Sequence, residues 1–278
     1  MKNLTRNILV SSVLAGAVVL SAQTPPPATP PPASTAPTPA AAVPALSADE
    51  IVQKYLAAIG GKEAISQVKS VYTESSVQVM GNEAPSTTTI VDGVGYKSET
   101  DFNGARIVSC YNDKGGWTVN PMMGAADPTP MPDDQYNEGK SNIYVGGGLY
   151  DYAGKGAKVE LLPTDPAVKT YKLKLTSKEN VDSTYVIDAT TYLVKSVTTK
   201  GKMQDQDVDI TTTFSDYRKT DVGYLLPYAI DLDLGGQFSL SIAVKKVELN
   251  KTIDPATFQM PKPETKPEAQ PAAKSGSN

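Results

Sequence analysis

Apolar and polar residues alternate with a period of two through most of the segment Tyr171–Leu249. Near its end, for example, Leu240 and Ile242 alternate with Ser239 and Ser241. This alternation gives each strand one apolar face and one polar face. Several such strands in succession predict an antiparallel sheet with one large apolar surface, which another part of the protein has to cover.

The same pattern, interrupted by turn residues, predicts strands on both sides of a central irregular segment. The predicted strands are Val68–Val79, Ser86–Val91, Gly95–Thr100, Ile107–Tyr111, Trp117–Asn120, Lys158–Leu162, Lys169–Thr176, Ser183–Asp188, Leu193–Lys200, Asp207–Tyr217, Gly223–Leu234 and Gln237–Leu249.

A helix is predicted before the first strand. Ser47 and Glu50 have the spacing of a capping box. The apolar residues of Ile51–Ile59 then recur at helical spacing, and Gly60-Gly61 ends the helix. Residues 62–67 predict one more short helical piece.

The segment Pro121–Gly156 interrupts the strand pattern. It is too long for a plain connection and too apolar for a linker, so we predict loops and short helices lying over the sheet. One helix is expected to begin at Asp133-Asp134, because acidic residues favour the positive end of the helix dipole. The run Gly146–Gly148 lacks the Lys-Ser/Thr of a phosphate-binding loop, which favours a hinge or close packing.

Both ends of the chain differ from the middle in composition. Residues 1–22 have a basic start, a short apolar run and small residues before an expected cleavage after Ala22, which is the pattern of a secretory signal peptide. Residues 23–45 predict a Pro/Ala-rich disordered linker, and residues 262–278 predict a disordered tail. The predicted folded domain is therefore 46–261, and we expect it in the periplasm.

The chemical inventory excludes several classes of function. The chain has a net charge of −4 and no histidine. An acidic chain is a poor electrostatic match for nucleic acid. Without His, neither a Ser-His-Asp or Cys-His relay nor an imidazole metal site is available. We therefore predict no catalytic residue, no metal and no cofactor, with a carboxylate-based hydrolase as the enzyme class that stays open.

Cys110 is the only cysteine, so the chain has no internal disulfide. It lies in a strand-like run, which favours a buried small apolar side chain over a reactive or intermolecular thiol.

The apolar surface of the predicted sheet allows two arrangements. The helix and the insert either pack against it as a solid core or leave a cavity for an apolar ligand. Met residues suit both, because they fill irregular gaps and also re-pack around variable ligands. The residues alone favour a solid core, since Met and Tyr fill cores more often than they line pockets.

The chain resembles the exported LolA-like family, the outer-membrane lipoprotein-sorting proteins and their relatives. The resemblance covers about 46–261, and it depends on the order and spacing of several segments. These segments are Ala48–Gly61 leading to Val68–Val71, then Gly116–Gly124, Tyr192–Pro227 and Thr252–Pro261.

The resemblance implies a mainly β (α+β) fold, in which a strongly curved antiparallel sheet forms an incomplete barrel plugged by an N-terminal helix and a loop/helix insert. It also implies a non-enzymatic periplasmic carrier of lipid or lipoprotein acyl chains towards the outer membrane. We expect a monomer with membrane donor and acceptor proteins as partners. The alternative is a structural or envelope-assembly module with a solid core that binds a protein partner.

A carrier needs an apolar inner wall. The candidate wall residues are Trp117, Met122, Met123, Met131, Tyr144, Leu149, Phe214, Leu232, Phe238, Leu240 and Ile242. Strand parity is the main condition on this prediction, because a slip of one residue moves every side chain to the other face. Arg106 is the one candidate for the basic inner-wall residue of family carriers.

Overall fold

In a computed structural model of the protein, the alternating segments form one antiparallel sheet. The structure describes residues 46–165, 167–203 and 206–262, which give a sheet of 13 strands. The predicted signal peptide, the linker and all of the predicted tail except Lys262 lie outside the described residues.

The helices are α1 (Ala48–Ala58), α2 (Gly61–Gln67) and α3 (Asp133–Gly139), and short 3-10 turns occupy Pro121–Met123, Lys140–Ile143 and Pro255–Phe258. The strands are β1 (Ser70–Val79), β2 (Asn82–Val91), β3 (Gly95–Phe102), β4 (Ala105–Asn112), β5 (Gly116–Asn120), β6 (Ala125–Pro130), β7 (Lys158–Leu162), β8 (Thr170–Thr176), β9 (Asp182–Asp188), β10 (Val194–Met203), β11 (Gln206–Lys219), β12 (Leu225–Leu234) and β13 (Phe238–Leu249).

The strand order places both edges of the sheet in the middle of the chain. Strands that follow one another in sequence are neighbours, except that β1 pairs with β13 and that β6 and β7 form the two edges. The sheet is not closed, and the residues between β6 and β7 connect its edges. This confirms the predicted mainly β fold with an incomplete barrel.

Helix α1 forms where the capping box predicts it. The Ser47 side chain accepts a hydrogen bond from the Glu50 amide, and the Glu50 carboxylate accepts one from the Ser47 amide at 2.7 Å. Ile51, Val52 and Leu56 are the buried stripe of the helix. No helix in the described ranges has the length and hydropathy needed to cross a membrane.

Two proline-bearing strands differ from the sequence prediction. Strand β6, with Pro128 and Pro130, was expected to be loop, but it is an edge strand, where a missing amide is tolerated. Strand β2 begins at Asn82 rather than at Ser86. Its pairing with β3 starts only at Ser86, so Pro85 has a single strand neighbour and needs no second hydrogen bond.

The core around α1 lies on one side of the sheet. The α1 stripe clusters with buried residues such as Val71, Leu173 and Ile187, together with Val145 and Leu149 of the insert. We call the side of the sheet that faces α1 the inner face and the opposite side the outer face.

A second cluster lies on the outer face of β4 and β5. It contains Cys110, Trp117 and Phe258, and Phe258 comes from the segment that follows β13. The Trp117 indole Nε1–H donates a hydrogen bond of 3.2 Å to the Phe258 carbonyl, and the Asn112 amide donates one of 3.0 Å to the same oxygen. Gly95 lies under the Phe258 ring, where a Cβ would collide with it. The C-terminal segment therefore covers this part of the outer face.

Candidate apolar ligand-binding site

Large apolar side chains line the inner face of β11, β12 and β13 in register. Ile230 of β12 lies between Phe214 of β11 and Ile242 of β13, and Leu232 lies opposite Leu240. We define the apolar wall as Ile210, Phe214, Ile230, Leu232, Leu234, Phe238, Leu240, Ile242 and Val244. Because directly opposite residues approach within about 5.5 Å, these side chains form one surface. In β11 the polar Thr212, opposite Leu232, interrupts it.

A bulge keeps the apolar residues of β13 on one face. The pairing of β1 with β13 shifts between Glu74 and Ser75, so that Thr73 pairs with Val247 but Ser75 pairs with Val244. An extra residue in one strand reverses the alternation at that point. Val247 therefore continues the face that Val244 begins, although the two are three positions apart.

The residues of the apolar wall are less buried than those of the core around α1. Near α1, Leu173 is fully buried and Val71 nearly so. The wall residues are only half-buried, and of the nine only Phe214 packs against a buried cluster of the described residues. The inner face is therefore covered at the α1 end and only partly covered along the wall, although Val77, which lies opposite Ile242, is itself buried.

Charge is confined to the outer face along these strands. Asp231 and Asp233 alternate with the wall residues of β12 and are exposed, and Lys245 forms an ion pair with Glu83 at 2.9 Å. Within the described residues that pair in β1–β4 and β11–β13, the inner positions up to Phe214 and Ile230 carry no charged side chain. This part of the inner surface is suited to an uncharged group.

Helix α3 lies over the inner face. The Tyr136 hydroxyl donates a hydrogen bond of 2.8 Å to the Asn112 carbonyl, and the Tyr136 ring stacks on Tyr111 of β4 at a centroid distance of 6.5 Å. On the other side, Glu138 approaches Gly201 of β10. The helix therefore extends from β4 towards β10, as expected for part of a plug.

Hydrogen bonds attach the residues that follow α3 to the rest of the fold. The Val145 amide donates to the Asp92 carboxylate at 3.0 Å, and the Tyr224 hydroxyl donates to the Val145 carbonyl at 2.8 Å. Burial raises the pKa of Tyr224 above its ordinary value. Gly148 lies against the Tyr185 hydroxyl, where a Cβ would collide. Gly146 and Gly148 are therefore closely packed, whereas Gly147 borders open space.

A partly buried amine reinforces the same segment. Lys155 Nζ donates to the carbonyls of Gly147 at 3.1 Å and Tyr150 at 2.6 Å, and it lies 4.0 Å from the centroid of the Tyr144 ring. Burial lowers the pKa of Lys155, and Asp92 and Asp151 oppose that shift. These bonds fold the chain on itself between residues 144 and 155.

Comparison with known proteins bears on the fold. No protein-family model and no curated protein matches the sequence. A LolA superfamily protein from Nitrosomonas europaea has a TM-score of 0.51 at 11% identity, over 77% of this chain and 98% of that one.

The chain has a LolA-like fold.

Two further solved structures are similar to it. A DUF1329 family protein from Desulfovibrio piger has a TM-score of 0.50 at 13% identity, over 77% of this chain and 97% of that one. A putative outer membrane lipoprotein-sorting protein domain from Vibrio parahaemolyticus has a TM-score of 0.48 at 13% identity, over 75% and 94%. The Nitrosomonas europaea and Desulfovibrio piger structures confirm the resemblance for the fold.

The LolA-like sheet brings together five of the predicted wall residues. Phe214, Leu232, Phe238, Leu240 and Ile242 all belong to the apolar wall. The prediction omitted four wall residues that the same alternation indicates, and these are Ile210, Ile230, Leu234 and Val244.

The other six candidates lie elsewhere. Leu149 belongs to the core around α1, and Tyr144 packs under Lys155. Met131 is buried against Gly116 at the β5 end of the insert. Met122 and Met123 are 66% and 74% exposed in the 3-10 turn after β5.

Trp117 lies on the outer face, because it pairs with Cys110, which pairs with Lys97. The apolar wall therefore does not include it. Arg106 forms an ion pair with Glu99 on the same outer face. An open groove of about 520 Å³ adjoins Arg106, and its lining includes Asn103, Val119 and Pro128. The structure does not bring Arg106 to the apolar wall.

Proposed function

We propose that this protein is a periplasmic, non-enzymatic carrier that binds acyl chains of lipids or lipoproteins against the apolar wall and moves them towards the outer membrane. The observation that supports the proposal is that an uncharged apolar surface lies on the inner face and is only half-buried. Covering such a surface with hydrocarbon is favourable, because it removes apolar area from water.

The dimensions of the wall suit an acyl chain. A strand rises about 3.4 Å per residue, so the wall extends roughly 20 Å from Phe238 to Val244. One leaflet contributes about half of a hydrocarbon core that is about 30 Å thick. The wall is therefore long enough for a chain that spans one leaflet. Each methylene group that the wall covers restores about 0.8 kcal/mol of the hydrophobic free energy that the acyl chain loses when it leaves the membrane.

Access and partners follow from the same role. Helix α3 lies over the inner face between β4 and β10, so its displacement admits a ligand. We expect residues 1–22 to direct export, and we expect a monomer that meets donor and acceptor proteins at the two membranes. None of these roles needs bond-making chemistry.

A matched pair of variants tests the carrier role. Ile242→Asp places a charge on the apolar wall, and Ala243→Asp places the same charge on the exposed outer face one residue away. The mature protein and both variants are purified from an exporting host, extracted with organic solvent and examined by mass spectrometry. We expect lipid with the parent and Ala243→Asp but not with Ile242→Asp, because an unpaired charge is costly beside hydrocarbon.

Unfolding in urea shows whether each variant is folded. If the folded parent carries no lipid and binds no fluorescent acyl probe, the carrier proposal is wrong. That result favours the structural module with a protein partner.

A further inference from the structure

The open groove beside Arg106 lies on the outer face, between the β3–β4 turn and the edge strand β6. The pairing of β5 with β6 shifts between Thr118 and Asn120, so that residues 126–128 of β6 face Val119 alone. Such an excess of residues bends a strand away from its partner. The groove that results has a volume of about 520 Å³, which is in the range of ligand pockets. Its apolar lining consists of Ala105, Val119, Pro121, Ala126 and Pro128.

Of the described residues that line the groove, only Arg106 carries a charge. Its Nε donates a hydrogen bond of 3.0 Å to the Glu99 carboxylate, and its side chain is still 55% exposed. Lys97 forms an ion pair of 2.8 Å with the other oxygen of Glu99, so two cations share one carboxylate. Asp101 and Asp127 are near in sequence, but neither lines the groove. Because a guanidinium has five N–H donors, Arg106 can bind a second carboxylate.

The segment that follows β13 approaches this groove. Phe258 covers Trp117 on the outer face, and Val119 of the same buried cluster also lines the groove. Val119 is two residues further along β5 than Trp117, a rise of about 7 Å. The structure describes the chain as far as Lys262, only a few residues beyond Phe258. The residues that follow Lys262 therefore begin within reach of the groove.

The sequence after Lys262 suits the groove in composition. Residues 263–268 read Pro-Glu-Thr-Lys-Pro-Glu, so that each proline is followed directly by a glutamate. Proline favours the extended polyproline conformation, so such a segment loses little conformational entropy when it docks. An apolar ring and the carboxylate next to it correspond to the apolar lining and to Arg106.

Chain length favours Glu264 over Glu268 as the partner of Arg106. Cys110 contacts the Phe258 carbonyl, and Arg106 is four residues away along β4, or about 14 Å. At about 3.1 Å per residue, the six residues from Phe258 to Glu264 reach about 19 Å, and the ten residues to Glu268 reach about 31 Å. The effective concentration of a tethered group is highest when its tether matches the span.

We propose that this groove binds the chain's own segment after Lys262, with the Pro263 ring against the apolar lining and the Glu264 carboxylate paired with Arg106. A short motif needs no fold of its own in order to dock, so the prediction of a disordered tail is compatible with this contact. The contact is small, and it depends on the roughly millimolar effective concentration that the short connection to Phe258 provides. It lies on the outer face, so it is independent of the carrier function.

A glutamate-specific protease tests the contact in the mature protein with its full tail. Cleavage after Glu264 requires the undocked segment, so its rate follows the undocked population. Loss of an exposed ion pair is expected to weaken docking about threefold. Mass spectrometry of the products should therefore show cleavage after Glu264 about two- to threefold faster in Arg106→Gln than in the parent. Cleavage after Glu268 in the same chain is the internal reference for protease activity.

Arg218→Gln is the matched control. The Arg218 side chain is 58% exposed and forms an ion pair with Asp216, so the two arginines are alike except for the groove. We expect Arg218→Gln to be cleaved after Glu264 at the rate of the parent.

A disulfide trap locates the segment directly. Ala126→Cys with Thr265→Cys places one thiol in the groove and one in the tail, and Ala243→Cys with Thr265→Cys moves the first thiol to an exposed outer position on β13. A disulfide needs Cα atoms within about 7 Å. In a glutathione buffer we expect an intramolecular disulfide in the groove pair and not in the control pair. Cys110 is fully buried and does not compete.

Three outcomes would overturn the inference. One is equal cleavage after Glu264 in the parent, Arg106→Gln and Arg218→Gln. Another is a disulfide that forms no faster in the groove pair than in the control pair. The third is protection of Glu264 that increases with protein concentration, which assigns the groove to the tail of a second copy. None of these results changes the carrier proposal, because lipid extraction tests the opposite face of the sheet.

Discussion

Two leucines on the inner face are expected to respond to truncation in opposite ways. Leu173 on β8 is fully buried in the core around α1, whereas Leu240 on β13 is half-buried in the apolar wall. Replacing each by Ala removes the same three carbon atoms. The pair therefore tests whether the inner face is filled at one end and accessible at the other.

The magnitudes follow from burial. Truncating a fully buried leucine costs about 2–5 kcal/mol of unfolding free energy, since transfer and cavity terms add. Leu240 exposes part of its side chain already, so Leu240→Ala should cost about 1 kcal/mol. An acyl chain that covers the exposed part gains about 1 kcal/mol from it, which corresponds to about a fivefold change in Kd.

Urea unfolding of delipidated protein and titration with a fluorescent acyl probe measure the two effects. We expect Leu173→Ala to lower the unfolding free energy strongly and to leave Kd unchanged. We expect Leu240→Ala to raise Kd about fivefold with a small loss of stability. If Leu240→Ala loses as much stability as Leu173→Ala and Kd does not change, the wall is covered by the protein itself and the reasoning fails.

Two further predictions concern groups outside the wall. Burial raises the pKa of Cys110 to about 12, so we expect a thiol reagent to label it only after unfolding, and fast labelling of the native protein contradicts the packing under Phe258. The ion pair of Lys140 with Glu179 connects the end of α3 to the turn after β8. The hydrogen bond between the two side chains lowers the pKa of Glu179 and raises the pKa of Lys140. The contribution of a lowered carboxyl pKa is fully present above its ordinary value and is lost as the pH falls through the lowered value. A double-mutant cycle with Lys140→Met and Glu179→Gln should therefore give a coupling of about 0.5 kcal/mol at neutral pH that disappears in acid, and an unchanged coupling in acid would show that the pair is not ionic.

The apolar wall was largely predictable because solvent borders one side of β11–β13. Where one face is wet, alternation alone assigns residues such as Leu232 and Leu240 to a common face. The bulge at Ser75 was not predictable in this way. It allows Val244 and Val247 to share a face despite their odd spacing, and only the pairing of β1 with β13 reveals it.

Trp117 shows why the other half of the sheet was harder to interpret. In β5 the apolar residues Trp117 and Val119 alternate with polar ones, and Trp117 is predicted to face inward as part of the wall. The inner positions of β5 are instead Gly116, Thr118 and Asn120, and the apolar side is covered from outside by Phe258. The segment that contains Phe258, which is distant in sequence, covers the apolar side of β5 from the outer face. The alternation within a single strand cannot show which face another segment covers.

The pairing of β1 with β13 also has a consequence for folding. It is the only strand pair in the described sheet that joins elements distant in sequence, since Val71 meets Leu249 while every other pair follows the chain order. Hairpin-like pairs form early because little entropy is lost in closing short loops, whereas a pair that closes a long loop forms late. We therefore expect two separate meanders to assemble first, with β1 and β13 exposing unpaired edges, through which one chain can aggregate with another, until the meanders join.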